Sequence, residues 1–185
     1  MVLQNDICNV KVSIDSTFTL ESTDNKPYDL VINPYHMRHN DIYTVFSIQI
    51  DLFYKELSIA LIGDFHSYDI DCAILEDNVL TVLQNNAIIQ IDVKSGIMLS
   101  FKEFDCLGCN YGIYKATNGY IIYGEIVITM LDLNFEKKWS FSGSDIFVSV
   151  SGKRAFELCE KSIKLYDFED NFYEIDYMGN LIAKA

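Results

Sequence analysis

Five short segments of the 185-residue chain share one pattern: alternating apolar residues lead to an aspartate, and a second alternating stretch follows a few residues later. Successive aspartates are 36, 41, 40 and 35 residues apart. The five residues are Asp15, Asp51, Asp92, Asp132 and Asp167. A recurrence every ~20 to 50 residues is typical of solenoids and propellers, so we expect a fold built from similar units.

Each of these segments predicts two antiparallel strands joined by a hairpin, because alternation resumes on both sides of a short turn. The aspartate is expected to begin the turn, since its carboxylate can accept backbone N–H groups two residues ahead. In the segment "IIQIDVKSGIML", Gly96 tolerates the positive φ expected at the end of such a turn. This local role gives the five aspartates a structural function, and we assign them no part in catalysis.

Two further strand-like runs precede each later aspartate, such as "DCAIL" and "VLTVLQ" before Asp92. Each unit therefore holds four short antiparallel strands, which is the blade of a β-propeller. Asp15 lies too near the N-terminus to have both preceding strands, whereas "GNLIAKA" remains after the fifth hairpin. We predict an all-β, single-domain β-propeller over residues 1–185, with five four-stranded blades and a last blade closed by the N- and C-terminal strands. Four blades are the alternative, in which the N-terminal strands only cover a sheet edge.

The segments "IDVKSGIML" and "LDLNFEKKW" resemble the strand-turn-strand core of quinoprotein-like propeller repeats, in which an Asp-led turn is followed by a glycine and a tryptophan. Gly96 matches the turn glycine and Trp139 the tryptophan, and the resemblance extends over five short segments. It implies a propeller fold. The cofactor-binding residues of that family have no match here, so the resemblance implies no cofactor.

The charge balance bounds the kind of partner. Acidic residues number 27 against 14 basic ones, for a formal charge of -13. This surplus disfavours direct nucleic-acid binding, because phosphate contacts need Lys and Arg, and it attracts a basic protein. We expect no membrane span and no secretion signal in "MVLQNDICNVKV", and five cysteines placed mostly inside apolar runs predict a reduced cytoplasmic protein.

Three clusters carry reactive residue types. Cys106 and Cys109 form a Cys-x-x-Cys pair, yet no second pair completes the four ligands of a zinc site. The motifs "PYHMRHND" at 34–41 and "GDFHSYDIDC" at 63–72 contain His and Asp but lack the spacing of a known metal loop. No nucleophile elbow, phosphate-binding loop or H-E-x-x-H helix is present. We therefore predict loop residues in all three clusters and assign no metal, no cofactor and no enzymatic activity.

The function is predicted at the level of a class. We expect a non-enzymatic protein-binding module, most concretely an acidic cytoplasmic immunity or inhibitor protein that neutralises a basic toxin such as a nuclease and is otherwise monomeric. The alternative is a glycan-binding, glycan-acting or small-ligand propeller that uses the mouth of its central channel. Its candidate aromatics are Tyr111, Tyr114, Tyr120 and Tyr123. A scaffold subunit in a larger assembly is a third possibility.

Partner-binding residues are expected on the face that carries the inter-blade loops and the turns between second and third strands. With the strands assigned to blades as above, Glu160 and Lys161 lie on this face, whereas Asp167, Glu169 and Asp170 lie on the opposite face. The formal charge is -6 on this face and -4 on the opposite face, a difference too small to select a face. The predicted partner-binding residues are Asp24, Asp29, Asp64, Asp69, Glu103, Asp105 and Asp145.

Overall fold

The computed structural model describes residues 1–64 and 71–185, which contain seventeen β-strands and no helix. Within these ranges, therefore, no helix is long and apolar enough to cross a membrane. The chain divides into two compact units, Met1–Glu103 (unit 1) and Phe104–Ala185 (unit 2). Each unit contains two β-sheets.

Unit 1 begins with sheet A. Its strands are β1 Val2–Gln4, β2 Asn9–Ile14, β3 Leu30–Ile32, β4 Thr44–Asp51 and β5 Glu56–Gly63. The spatial order is β1-β2-β4-β5-β3, and β3 is the one strand of this sheet that pairs in parallel, with β5. The long segment between β2 and β4 therefore leaves the meander, adds an edge strand and returns.

Sheet B of unit 1 is a simple antiparallel meander. Its strands are β6 Ala73–Glu76, β7 Val79–Gln84, β8 Ala87–Asp92 and β9 Met98–Glu103. Alternate residues of sheets A and B, such as Ile48 and Val82, pack into one core because side chains two positions apart share a face of a strand. The other face of sheet A is covered by its own chain, since Phe18, Tyr28 and Met37 pack against Ile62 and its neighbours.

Unit 2 holds sheets C and D, again as meanders. Sheet C consists of β10 Asn110–Ala116, β11 Gly119–Gly124, β12 Val127–Asp132 and β13 Lys137–Ser142. Sheet D consists of β14 Phe156–Leu158, β15 Ser162–Tyr166, β16 Phe172–Asp176 and β17 Leu181–Lys184. An aromatic core lies between them: Tyr114 and Tyr123 stack on Phe156 with ring centroids 4.9 and 4.7 Å apart.

The predicted role of the repeat aspartates is confirmed by their hydrogen bonds. Asp51 Oδ1 accepts the backbone N–H of Phe53 at 2.8 Å, and Asp92 Oδ1 accepts that of Ser95 at 2.8 Å. Gly96 closes the second of these turns with φ of 75°. The aspartates therefore satisfy backbone donors that the strand reversals leave free.

The placement of the repeat, however, is wrong at both ends of the chain. At the N-terminal end, the next strand after β2 is β3, so the predicted hairpin at Asp15 is not formed, although Asp15 Oδ1 accepts the N–H of Thr17 at 2.9 Å. The aspartates between third and fourth strands are Asp51, Asp92, Asp132 and Asp176, spaced 41, 40 and 44 residues apart. Asp167 lies one hairpin earlier, between the second and third strands of sheet D. The described residues thus form four sheets, so the predicted number of five blades is wrong. Four is the number in the alternative, but β1 and β2 are paired strands of sheet A and do not merely cover its edge. An Asx-turn supports any hairpin, which is why aspartate alone did not distinguish the two turns.

The predicted closure by the terminal strands is also wrong. β17 pairs antiparallel with β16 inside sheet D, and β1 pairs with β2 inside sheet A. The reason is local: Asp176 Oδ1 accepts the N–H groups of Met178 and Asn180 at 2.9 and 2.8 Å, and Gly179 adopts a φ of 84°. This tight turn returns the C-terminal segment to its own neighbour.

Candidate acidic interaction surface

The loops of unit 2 fall into two groups, because successive strands of a meander run in opposite directions. The first group is the segment before β10, the β11–β12 turn, the β13–β14 connection and the β15–β16 turn. We call the ends of sheets C and D that carry these loops the connection end. The remaining four turns of these sheets form the hairpin end.

Hydrogen bonds join the loops of the connection end into one surface. Phe147, in the β13–β14 connection, donates its N–H to Glu125 O at 2.6 Å. Phe168, in the β15–β16 turn, donates its N–H to Ile146 O at 2.8 Å. The middle of the connection is therefore bonded to the second turn of sheet C and to the second turn of sheet D.

Carboxylates lie at both ends of unit 2. The connection-end loops hold six carboxylates and two cationic side chains, a formal charge of -4; the hairpin-end loops, counted with the aspartates Asp132 and Asp176 that begin two of their turns, hold four carboxylates and one lysine, or -3. The connection-end groups are Asp105, Glu125, Asp145, Asp167, Glu169 and Asp170, with Lys153 and Arg154. The observed strand order moves Asp167, Glu169 and Asp170 to the connection end together with Lys153 and Arg154, and it moves Glu160 and Lys161 to the hairpin end.

These carboxylates differ in how far they are already engaged. Asp170 accepts Ser151 Oγ at 2.7 Å and lies 3.7 Å from Lys153 Nζ. Lys184, on β17, brings a further cation to the same end, with Nζ 3.3 Å from Ser144 Oγ. Glu169 and Asp105 are exposed, and Glu125 and Asp145 are half-buried. Asp145 Oδ1 accepts the N–H of Ile146 at 2.7 Å, and Glu125 Oε2 accepts that of Cys109 at 3.5 Å. These four carboxylates are thus bonded to backbone at most and pair with no cation of residues 1–64 and 71–185.

Asp167 is the structural anchor of the surface. It is fully buried and accepts the N–H groups of Glu169 and Asn171 at 3.1 and 2.9 Å and the Tyr173 hydroxyl at 2.9 Å. Burial opposes its ionisation, but hydrogen bonds from Asn171 and Tyr173 outweigh that effect and hold the pKa of Asp167 below the usual 3.8. Hydrogen bonds to the buried carboxylate of Asp167 thus hold the β15–β16 turn in place.

The predicted partner-binding residues are divided between the two units. Asp105 and Asp145 lie at the connection end of unit 2, as described above. In unit 1, Asp64 is half-buried and accepts Asn85 Nδ2 at 3.0 Å, at the ends of β5 and β7. Glu103 is exposed at the end of β9.

Two other predicted residues lie in the long segment between β2 and β4. Asp24 is exposed in a turn. Asp29 Oδ2 accepts both the N–H and the hydroxyl of Ser58, at 2.7 and 2.8 Å, so this carboxylate fixes the start of β3. Asp69 lies outside the described residues.

The sequence reasoning did not select Glu125, Glu169 or Asp170 as partner-binding residues. For the last two the cause is the wrong placement of the repeat, which put the β15–β16 turn on the opposite face. The segment "DYMGNL", beginning at Asp176, carried the missing signal, since an aspartate followed by Gly179 and Asn180 marks a further turn.

The other clusters are local loop structures. Within residues 1–64 and 71–185, no three His, Cys, Asp or Glu side chains are placed to hold a metal ion. His39 Nδ1 lies 3.0 Å from Leu20 O, and Asp41 Oδ2 accepts the N–H of Arg38 at 2.7 Å. Cys106 and Cys109 form no disulfide. Most of the motif at 63–72 falls outside the described residues.

The tyrosines proposed for a glycan site are packing residues. Tyr123 is buried, stacks on Phe156 and donates its hydroxyl to Phe147 O at 2.7 Å. Tyr111 packs edge-on against Tyr123, and Tyr120 is buried against Phe135 with ring centroids 5.0 Å apart. Their rings pack against neighbouring side chains, although Tyr111 and Tyr114 remain half-buried.

No protein-family model and no curated protein matches the chain. Among solved structures, the chain is similar to BamB from Moraxella catarrhalis, a β-propeller, with a TM-score of 0.50 and 14% identity over 94% of this chain and 52% of that one. It is also similar to Hsv2 from Kluyveromyces lactis, with a TM-score of 0.44 and 8% identity over 76% of this chain and 46% of that one. The chain spans about half the length of these proteins. The BamB likeness and the four-stranded sheets confirm the predicted all-β propeller fold.

Proposed function

We propose that the chain is a non-enzymatic binding module whose connection end in unit 2 docks a basic protein. The observation that carries the proposal is that Glu125, Asp145 and Glu169 lie on three loops of this end, which backbone hydrogen bonds join into one surface. A surface of one sign steers a partner of the opposite sign and raises the association rate. The chain as a whole is strongly acidic at -13, so the same field acts at long range.

The most concrete form of this function is an immunity or inhibitor protein that covers the active site of a nuclease toxin in the cytoplasm. A nuclease presents Lys and Arg to phosphate, and a fixed set of carboxylates can occupy the same groups. The loops here are held by backbone hydrogen bonds and by the buried Asp167, so little ordering is needed on binding. The chain is otherwise a monomer in this proposal.

The test is binding to the basic product of the neighbouring gene, because an immunity protein is encoded beside its toxin. We expect a complex whose association rate falls steeply with added salt. The double variant Asp145→Lys/Glu169→Lys should slow association by about tenfold or more, because it reverses two charges on the rim of the interface. The matched control, Glu136→Lys/Glu160→Lys at the hairpin end, should change it by less than about twofold. Equal effects of both pairs, or no binding to a basic neighbour product, would refute the proposal.

A further inference from the structure

The connection end of unit 2 exposes large apolar side chains as well as carboxylates. Ile126 follows Glu125 in the β11–β12 turn and is 37% exposed. Val150, in the β13–β14 connection, is 67% exposed, and Phe168, in the β15–β16 turn, is 46% exposed. Leu107, in the segment before β10, is 63% exposed, so all four loops of this end each offer one apolar side chain to solvent.

Two hydrogen bonds bring Val150 and Phe168 onto one surface. The N–H of Phe168 is bonded to Ile146 O at 2.8 Å, so the aromatic residue lies beside the connection. Ser151, next to Val150, donates its hydroxyl to Asp170 Oδ1 at 2.7 Å, so this part of the connection lies beside the turn that carries Phe168. We call Val150 and Phe168 the apolar centre.

The apolar centre is held in place from both sides. The connection is anchored by Phe147, which is fully buried and whose carbonyl accepts the Tyr123 hydroxyl at 2.7 Å. The N–H of Ser144 donates to the Tyr173 hydroxyl at 2.8 Å, closer to the start of the connection. An aromatic side chain exposed on a fixed turn presents a preformed contact, and such contacts dominate binding when a partner covers them.

We propose that the apolar centre is the middle of the partner interface, and that its occupant is a basic segment presenting one apolar side chain flanked by Lys or Arg. This inference depends on the proposed function and adds to it the chemistry of the contact. Glu125, Asp145 and Glu169 form the rim on three loops, and an apolar middle with a charged rim is the usual anatomy of a protein interface. The rim repels acidic segments and nucleic acid, which leaves a cationic peptide chain as the complementary occupant.

The hairpin end of unit 2 supplies the matched control. Leu133 and Met178 are 57% and 73% exposed there, so exposed apolar residues alone do not define the proposed surface. Asp132 at that end is paired with Lys138 at 3.2 Å. Substitutions at Leu133 therefore remove similar apolar area without touching an acidic rim.

The experiment is selection of a phage-displayed library of random peptides on the immobilised full chain, followed by affinity measurement with the enriched peptides. We expect enriched sequences that combine Lys or Arg with one aromatic or aliphatic residue. Phe168→Ser should weaken their binding by about tenfold or more, whereas Phe168→Leu and Leu133→Ser should each change it by less than about threefold. Circular dichroism and the melting temperature show whether each variant remains folded, and Phe168→Leu keeps the test valid if Phe168→Ser does not fold.

The possible outcomes separate the inference from the proposed function. Basic peptides that bind Phe168→Ser as tightly as the unsubstituted chain overturn the inference and leave the proposed function intact. Uncharged apolar peptides that depend on Phe168 support the apolar centre but contradict a charge-driven function and a basic occupant. Failure to enrich any peptide that depends on Phe168 also overturns the inference, and the neighbour-gene experiment then decides the proposed function by itself.

Discussion

Gln84 in unit 1 has a buried carboxamide that finds no hydrogen-bond partner among residues 1–64 and 71–185. The residue ends β7 and is 0% exposed, and within these ranges neither its Nε2 nor its Oε1 is hydrogen bonded. Its side chain lies over Gly63, where an added Cβ atom would fall 2.0 Å from Oε1. Burying an amide without compensation costs about 1–3 kcal/mol in proteins, so Gln84 is expected to destabilise the fold by that amount.

The substitution Gln84→Met tests this reasoning. Methionine is unbranched and close to glutamine in length, and its thioether needs no hydrogen-bond partner. We expect the free energy of unfolding to rise by about 1–3 kcal/mol, since the packing over Gly63 is retained and the desolvation cost is removed. At ~2–4 °C per kcal/mol for a chain of this size, the melting temperature should rise by several degrees.

Urea unfolding followed by far-ultraviolet circular dichroism measures the effect, with Gln90→Met as the matched control. Gln90 lies in the same sheet, but its Nε2 donates to Thr81 Oγ1 at 3.3 Å and its Oε1 accepts Ser100 Oγ at 2.9 Å. The control should lose about 1–2 kcal/mol, because it leaves two hydroxyls without their partner. A Gln84→Met variant no more stable than the unsubstituted chain would refute the reasoning, since the carboxamide would then be satisfied in solution.

Three further predictions concern turns in unit 2. Gly179→Ala should cost about 1–3 kcal/mol, because φ is 84° and the new Cβ would lie 2.7 Å from Trp139 Cδ2; denaturation followed by the fluorescence of this single tryptophan measures it. Gly152→Ala, with φ of 82° and open space around it, should cost only the backbone part, about 1 kcal/mol, and an equal loss in both variants would contradict the steric argument. Asp132→Ala removes the acceptor of two turn N–H groups and should lower the free energy of unfolding by about 1 kcal/mol, detectable as a lower urea midpoint. Folding lowers the pKa of Asp167, so the unfolded chain binds more protons between the folded and unfolded pKa values, and stability is lost as pH falls below about 3.8. The urea midpoint of Asp167→Asn should therefore depend less on acid pH than that of the unsubstituted chain. An identical dependence would contradict this assignment.

The sequence predicted the middle of the fold correctly because its local signals there agree with one another. Around Asp92 and Asp132, alternation, turn aspartate and the two preceding runs all indicate the same four-stranded unit, and the structure has that unit. At the C-terminal end the signals compete. Asp167 and Asp176 each accept N–H groups from the residues two and four positions ahead, so the two turns have the same local chemistry. Which of them lies between third and fourth strands is decided by pairing, which the aspartates do not encode.

The place of β3 in sheet A was not predictable from pattern for a different reason. The run that contains Leu30–Ile32 is strand-like in the sequence, but its parallel pairing with β5 at the edge of the sheet is not encoded in the alternation. Its position is set by Asp29, whose carboxylate binds Ser58 across the sheet edge. A contact between residues so distant in sequence leaves no periodic signal, although Asp29 itself was visible as an acidic residue.

The candidate site depends on the placement of the repeat more strongly than the fold does. If each four-stranded unit is taken to begin one strand earlier, every hairpin and every buried face is kept. The two ends of the sheet are exchanged, however, because neighbouring strands are antiparallel. For sheet D, that shift decides whether Glu169 and Asp170 lie beside Asp145 or at the opposite end. The observed strand order joins these carboxylates with Phe168 on one surface. The proposed interface thus follows from the pairing of β16 with β17, a contact that Gly179 and Asp176 establish far from the surface itself.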